Sequence, residues 1–159
     1  MNYRIGTGYD VHKLKTGLKF ILGGIEINHN KGCIAHSDGD VLIHAICDAL
    51  IGAGNLRDIG YNFPDTDIKY KNIDSKILLS KTIKLLRDRN YEIANIDSTI
   101  ILQKPKICNY IQKMQETLAK ALNISPEQIS IKATTTEGLG FEGAEEGVSA
   151  QATALIYLK

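Results

Sequence analysis

Three residues in the first third of the chain carry side chains that can bind a metal. Asp10 and His12 are separated by one residue in a segment of β-strand composition, and strand alternation puts both side chains on one face. His44 lies in a segment typical of a helix, so a strand and a helix must converge to bring the three together. Two imidazoles and one carboxylate leave a fourth tetrahedral position open, as in catalytic zinc sites. The alternative is a surface aspartate with ordinary or hydrogen-bonded core histidines.

The helical segment around His44 is apolar almost all round, which predicts a buried helix over residues 41–50. Asp40, His44 and Asp48 recur at every fourth position, and a polar stripe on a buried helix needs partners. Asp48 is a candidate acceptor for the second ring N–H of His44, since metal-bound histidines usually have one. The same pattern is equally compatible with Asp40 and Asp48 as helix-surface carboxylates.

Two stretches have the composition of an anion site. His36 and Ser37 precede the predicted helix, with Ser37 or Asp38 as its expected N-cap, and unpaired N–H groups at a helix N-terminus favour a phosphate. Residues 134–137 offer three threonine hydroxyls and Glu137, which suit phosphate oxygens and a hard cation such as Mg²⁺. Threonines are also common at strand ends for their β-propensity alone.

The hydrophobic patterns predict one α+β domain over residues 1–159. We expect strands at 3–12, 93–103, 129–133 and 148–158, a hairpin at 20–27, a loop at 57–67, and helices at 41–50, 73–90 and 107–122. These elements predict one mixed β-sheet with helices packed on one face. Gly6 and Gly8 in the first strand indicate close approach of another backbone or a ligand.

The charge balance and the hydrophobic pattern argue against nucleic acid and membranes as partners. The 19 basic and 18 acidic residues give a net charge of +1, which predicts no nucleic-acid or membrane-surface binding. No stretch approaches the ~20 apolar residues that span a bilayer, and no secretion signal is recognised. Three cysteines without a CxxC pair predict reduced thiols. We expect a soluble cytoplasmic protein that meets any anionic ligand locally.

The motifs extend along the whole chain: GYDVH at 8–12, AHSDGD at 35–40 with His44, DIG at 58–60, FPDTD at 63–67, PK at 105–106, KATTTE at 132–137 and LGF at 139–141. Together they resemble the 2-C-methyl-D-erythritol 2,4-cyclodiphosphate synthase family of the non-mevalonate isoprenoid pathway. The resemblance implies a homotrimer with active sites between adjacent subunits.

The resemblance also implies a reaction and its metals. Zn²⁺ is expected on Asp10, His12 and His44, and Mg²⁺ or Mn²⁺ with the help of Glu137, while His36 and Thr135 are the expected catalytic residues, stabilising the transition state. The substrate would be 4-diphosphocytidyl-2-C-methyl-D-erythritol 2-phosphate, whose 2-phosphate attacks its own β-phosphorus and expels CMP. No protein nucleophile is needed.

A substrate-binding set follows from the same motifs. Residues 63–67 are expected to form a flexible flap, and residues 102–108 and 134–137 to come from the neighbouring subunit and bind the cytidine diphosphate group. The full set is Asp10, His12, His36, Ser37, Asp58, Ile59, Gly60, Phe63, Pro64, Asp65, Thr66, Asp67, Leu102, Gln103, Lys104, Pro105, Lys106, Ile107, Cys108, Thr134, Thr135, Thr136, Glu137 and Phe141.

One position departs from the family pattern. Where the family commonly has Gly-Arg-Gly-Glu-Gly, this chain reads Gly-Ala-Glu-Glu-Gly at 143–147, so Ala144 replaces an arginine that contacts a diphosphate in the central trimer cavity. The loss of a bidentate phosphate donor and the added Glu145 predict weak or absent binding of isoprenoid diphosphates there.

Two other functions remain compatible with the residues. A zinc-dependent phosphodiesterase would use bound water as the nucleophile and give a linear product. A non-catalytic trimer would bind a nucleotide or an isoprenoid without releasing CMP.

Overall fold

The computed structural model describes residues 2–159. The strands are β1 (Tyr3–Thr16), β2 (Phe20–Leu22), β3 (Ile25–Ile27), β4 (Lys31–Cys33), β5 (Tyr91–Ile101), β6 (Ile129–Thr134) and β7 (Gly147–Leu158). The helices are α1 (Val41–Ala53), α2 (Ile59–Asn62), α3 (Ser75–Arg87), α4 (Ile111–Leu122) and α5 (Gly140–Gly143). Single 3₁₀ turns lie at Ile68–Tyr70, Cys108–Tyr110 and Pro126–Gln128. The predicted long helices and strands are all present, and the predicted loop at 57–67 contains the short helix α2.

Five strands form one sheet in the order β4-β1-β7-β5-β6, while β2 and β3 form a separate hairpin. The β5–β6 pair is parallel, and β1–β4, β1–β7 and β5–β7 are antiparallel. The prediction of a mixed sheet in an α+β fold is therefore confirmed. Strand β4 was not predicted, because three residues with a central glycine give no alternation to detect.

Helix α1 lies against β1 and β7 with its backbone unusually close to the sheet. Its apolar residues are fully buried, as the sequence predicts. A Cβ atom added to Gly8 would lie 2.0 Å from the Ala45 carbonyl oxygen, and one added to Gly6 would lie 2.0 Å from that of Ala49. The two glycines therefore let the helix that carries His44 contact the strand that carries Asp10 and His12.

In the part of the chain that the structure describes, the face of β1 opposite α1 is exposed to solvent. Tyr3, Ile5, Tyr9 and Val11 alternate with the residues that face α1, and all four are exposed. This leaves an apolar strip on the open face of the sheet. Within residues 2–159, no helix combines the length and the apolar character that crossing a membrane requires.

The N-cap of α1 is Asp40, so the predicted capping by Ser37 or Asp38 was wrong. The fully buried Asp40 carboxylate accepts the N–H groups of Ile43 at 3.0 Å, Gly23 at 3.0 Å and Gly24 at 2.6 Å. Burial raises the pKa of Asp40, and these N–H donors oppose the increase. Asp40 thus ties the β2–β3 turn to the first turn of α1. Asp74 caps α3.

Candidate active site

The three predicted metal ligands come together where β1 meets α1. The Asp10 Oδ2 atom lies 2.9 Å from His12 Nε2 and 2.9 Å from His44 Nδ1. The two ring nitrogens lie 3.1 Å apart. All three side chains are half-buried, so the cluster is screened from bulk water but accessible from one side.

The donor set and its spacing fit a zinc ion. Ligands at about 2.0–2.1 Å from a tetrahedral zinc lie roughly 3.3 Å from one another, close to the separations in this cluster. Two imidazole nitrogens and one carboxylate oxygen are also the donor types that zinc prefers. Asp10, His12 and His44 could therefore hold the ion and leave one coordination position for a ligand.

The charges in the cluster depend on one another. Burial raises the pKa of Asp10, but hydrogen bonds from His12 and His44 and their positive charges outweigh burial and lower it to about 2. Burial lowers the pKa of His44, but the hydrogen bond and negative charge of Asp10 outweigh burial and raise it. Asp10 is therefore an anion at neutral pH and attracts a cation to the site.

The cluster opens into a cavity of about 330 Å³. His36 and Ser37 line one side of it, and Ile59, Gly60, Phe63 and Asp65 line another. The structure thus places these predicted substrate-binding residues beside His12 and His44. The other members of these two motifs, Asp58, Pro64, Thr66 and Asp67, belong to the same stretch of chain, residues 58–67, but do not line the cavity.

The start of α1 offers fewer free donors than the sequence suggests. The N–H of Gly39 donates to Ser37 Oγ at 3.2 Å, and the N–H of Asp40 donates to Asp38 Oδ1 at 3.2 Å. The N–H of Ile43 is bound by Asp40. These three groups are not available to a phosphate, so the exposed His36 is the more accessible partner for an anion on this side.

A second cavity, of about 650 Å³, lies at the ends of β5 and β6. It is lined by residues 102–108 and 133–135, which include most of the predicted nucleotide-binding residues. Beside it the Thr135 hydroxyl donates to Glu137 Oε1 at 3.0 Å. Thr136 and Glu137 lie in the turn that follows, and the Glu137 carboxylate is exposed to solvent. Lys104 forms an ion pair with Glu145 at 2.9 Å, while Lys106 is exposed.

The sheet keeps the two cavities apart within one chain. Val11 pairs with Ser149, Ser149 with Ile101, and Ile101 with Thr134. Three inter-strand spacings of about 4.8 Å separate the first residue from the last, or roughly 14 Å. A single chain therefore does not bring Asp10, His12 and His44 together with Thr135 and Glu137. Phe141 lies nearer the metal cluster, where it lines a small cavity with Val11, His12 and Lys13.

Comparison with known proteins decides the family. The YgbB family model matches residues 3–157. The chain belongs to the YgbB family. It is 58% identical over 156 residues to the 2-C-methyl-D-erythritol 2,4-cyclodiphosphate synthase of Bacteroides thetaiotaomicron, covering 98% of each protein.

Solved structures agree with this membership. The fold matches that of the bifunctional IspDF from Campylobacter jejuni with a TM-score of 0.96 at 39% identity; the match covers 99% of this chain and 43% of that longer protein. It matches a Plasmodium falciparum IspF in complex with CDP with a TM-score of 0.88 at 37% identity, covering 99% and 97%.

The surroundings of His44 differ from the prediction. The Asp48 carboxylate accepts the N–H of Ile59 at 2.7 Å, so the prediction that it orients His44 was wrong. Asp48 lies one turn further along α1, where its hydrogen-bond partner is the first residue of α2. The second ring nitrogen of His44 instead lies 3.2 Å from Ser37 Oγ and 3.1 Å from Ser75 Oγ. Ser75 was missed, since nothing in its local sequence indicates a contact 31 residues away.

Proposed function

We propose that this chain converts 4-diphosphocytidyl-2-C-methyl-D-erythritol 2-phosphate into 2-C-methyl-D-erythritol 2,4-cyclodiphosphate and CMP. The observation that carries the proposal is the cluster of Asp10, His12 and His44, whose two histidines line a cavity together with His36 and Ser37. Relatives at 58% and 59% identity that are named 2-C-methyl-D-erythritol 2,4-cyclodiphosphate synthase support the same reaction.

The reaction needs positioning more than it needs a protein nucleophile. The 2-phosphate of the substrate attacks the β-phosphorus of the same molecule, and the bond from that phosphorus to the CMP oxygen breaks. Holding the two phosphates in line removes most of the entropic barrier to such a step. In this role Asp10, His12 and His44 hold Zn²⁺, which when bound supplies a Lewis acid that polarises a phosphate oxygen.

The remaining residues bind and stabilise charge. His36, exposed at the cavity edge, donates to a phosphate oxygen as negative charge shifts towards the departing CMP. Residues 58–60 and 63–67 hold the ribose and methylerythritol end, the latter as the flap that covers it. Thr135 donates to the diphosphate, and Glu137 anchors Mg²⁺ or Mn²⁺ beside it.

The complete site requires a second copy of the chain, in a homotrimer. Val11, which lies between two of the metal ligands, is separated by roughly 14 Å across the sheet from Thr134 at the second cavity. This separation supports the proposal, because residues that far apart in one chain do not meet at one diphosphate. The exposed Tyr3, Ile5, Tyr9 and Val11 on the open face of the sheet supply apolar surface for a subunit contact. In the assembly, residues 102–108 and 134–137 of a neighbour bind the cytidine diphosphate group.

In this function residues 1–159 act as one catalytic domain in the cytoplasm, and the substrate is a small molecule. The reaction involves neither nucleic acid nor a membrane.

Phosphorus NMR of the product tests the reaction. The protein is incubated with the substrate, Zn²⁺ and Mg²⁺, and we expect one equivalent of CMP together with the two coupled signals of a cyclic diphosphate. The same assay on His44→Ala is expected to show a loss of at least a hundredfold, and on Ser80→Ala, an exposed position of α3, no change. A linear product would identify a phosphodiesterase, and binding of CDP without CMP release would identify a non-catalytic binding protein.

A further inference from the structure

Ser75 connects the metal cluster to a carboxylate that the reaction does not use. It is the first residue of α3 and is fully buried. Its hydroxyl lies 3.1 Å from His44 Nε2 and also bonds to Asp38 Oδ1. The other oxygen of Asp38 accepts the backbone N–H of Ser75 at 2.9 Å. Asp38 therefore fixes both the backbone and the hydroxyl of Ser75.

The direction of each hydrogen bond follows from the chemistry of the groups. An ionised carboxylate has no proton, so the Ser75 hydroxyl must donate to Asp38. The serine has one hydroxyl proton, so its oxygen can only accept from His44. His44 Nε2 therefore carries a proton, whether or not Nδ1 also carries one. The lone pair of the neutral ring is then on Nδ1, the nitrogen that lies 2.9 Å from Asp10 and 3.1 Å from His12.

Ser37 contacts the same ring nitrogen but cannot set its proton. Its hydroxyl lies 3.2 Å from His44 Nε2 and accepts the N–H of Gly39. No carboxylate takes up the Ser37 proton among the described contacts, so this hydroxyl is compatible with either ring form. Ser75 has only one compatible orientation, because Asp38 holds its proton.

We propose that Ser75, anchored by Asp38, is a positioning residue that keeps His44 in the Nε2–H form and so presents Nδ1 to the metal. This inference rests on the zinc site of the proposed function. Groups that accept the second N–H of a metal-bound histidine typically change metal affinity 10–100-fold when removed. Because Ser37 remains as a second acceptor, we expect an effect near the lower limit.

Zinc affinity, measured by competition with a fluorescent chelator at pH 7.5, tests the assignment without an activity assay. Ser75→Ala is expected to weaken zinc binding about tenfold. Ser75→Thr keeps the hydroxyl and is expected to stay within about threefold of the parent. Ser80→Ala makes the same change on an exposed turn of α3, where the hydroxyl bonds only to backbone carbonyls, and is expected to bind zinc as the parent does.

Two readouts separate positioning from simple packing. Nitrogen-15 NMR of the zinc-loaded protein is expected to show His44 with a protonated Nε2 in the parent and a weakened N–H signal in Ser75→Ala. In urea unfolding of the metal-free proteins, the free energy of unfolding of Ser75→Thr is expected to be no higher than that of Ser75→Ala, because the extra methyl group is crowded at this buried position. If Ser75→Thr nevertheless recovers zinc affinity, the recovery is due to the hydroxyl group and not to the stability of the fold.

Equal zinc affinity in Ser75→Ala and Ser80→Ala overturns the inference, and so does a loss in Ser75→Thr as large as in Ser75→Ala. If Ser75→Ala does not fold, Asp38→Asn is tested instead and is also expected to weaken zinc binding about tenfold. The amide has only one acceptor oxygen, so it cannot accept both the N–H and the hydroxyl of Ser75 as the two carboxylate oxygens do. His44→Ala distinguishes the two proposals. If it binds zinc like the parent, the proposed metal site itself fails; if it loses zinc while Ser75→Ala does not, only the role of Ser75 fails.

Discussion

Replacing Gly8 with alanine should disturb both the fold and the metal cluster, because this glycine sets the distance between β1 and α1. The added Cβ would lie 2.0 Å from the Ala45 oxygen and 2.7 Å from the Ala49 nitrogen. Both are backbone atoms, so no side-chain rotation relieves the contact. Reaching the shortest tolerable separation of 3.0 Å requires the helix to move by about 1 Å.

A displacement of this size should lower both the free energy of unfolding and the affinity for zinc. Overpacking a close contact typically costs about 1–3 kcal/mol, and we expect the upper part of this range for a backbone contact. His44 is the residue before Ala45 on the displaced helix, so its Nδ1 would move by a similar distance from Asp10, now 2.9 Å away. Zinc sites tolerate only about 0.2 Å in each bond, so zinc affinity should fall at least tenfold.

Gly52→Ala is the matched control. It makes the same change on the same helix, but the added Cβ would meet only the Thr7 oxygen, at 4.0 Å. The gain in helix propensity should stabilise the protein by up to about 1 kcal/mol. Urea unfolding in EDTA at one protein concentration measures the packing effect free of metal, and chelator competition measures zinc affinity. If Gly8→Ala matches Gly52→Ala in both assays, the close approach of α1 to β1 does not control the site.

Three further predictions follow from the charges and thiols. Without metal, stability should be greatest between about pH 4 and 6.5. The contribution of Asp10, with its pKa lowered from 3.8 to about 2, is about 2 kcal/mol and is lost as pH falls through that range. The contribution of His44 to stability, which comes from its pKa being raised above 6.5, is lost as pH rises. Zinc should reverse the alkaline loss, since it binds neutral histidine; equal pH profiles with and without zinc would contradict this. Ellman's reagent at pH 8 should modify only the exposed Cys108, because burial raises the pKa of the other two thiols to about 12; rapid reaction of more than one thiol would contradict this. Isothermal titration with geranyl diphosphate should show weak or no binding, because Ala144 offers no guanidinium; tight stoichiometric binding would refute that reasoning.

The sequence predicts those parts of the site that local periodicity controls. Asp10 and His12 share a face because strand side chains alternate, and His44 lies on a helix whose apolar residues mark it as buried. The glycine pair in β1 indicates a close backbone approach, which α1 provides. Each of these inferences needs only neighbouring residues.

The parts that failed depend on tertiary contacts. Residues 37–40 contain three good N-cap residues, and only the position of the β2–β3 turn selects Asp40, through Gly23 and Gly24. Asp48 has the right spacing to contact His44, but its carboxylate accepts the N–H of Ile59 at the start of α2 instead. Ser75 is brought to His44 by the packing of α3 on α1, which no local pattern encodes.

Glu145, the residue after Ala144, contacts the lining of the second cavity. Glu145 pairs with Lys104, one of the residues that line that cavity, at 2.9 Å. The lysine side chain is 66% exposed in this pair, and an exposed ion pair contributes at most about 1 kcal/mol. A diphosphate carries more negative charge than one carboxylate and offers a lysine stronger charge-assisted bonds. Lys104 can therefore leave Glu145 when substrate binds, so the presence of Glu145 need not remove a cation from the nucleotide cavity.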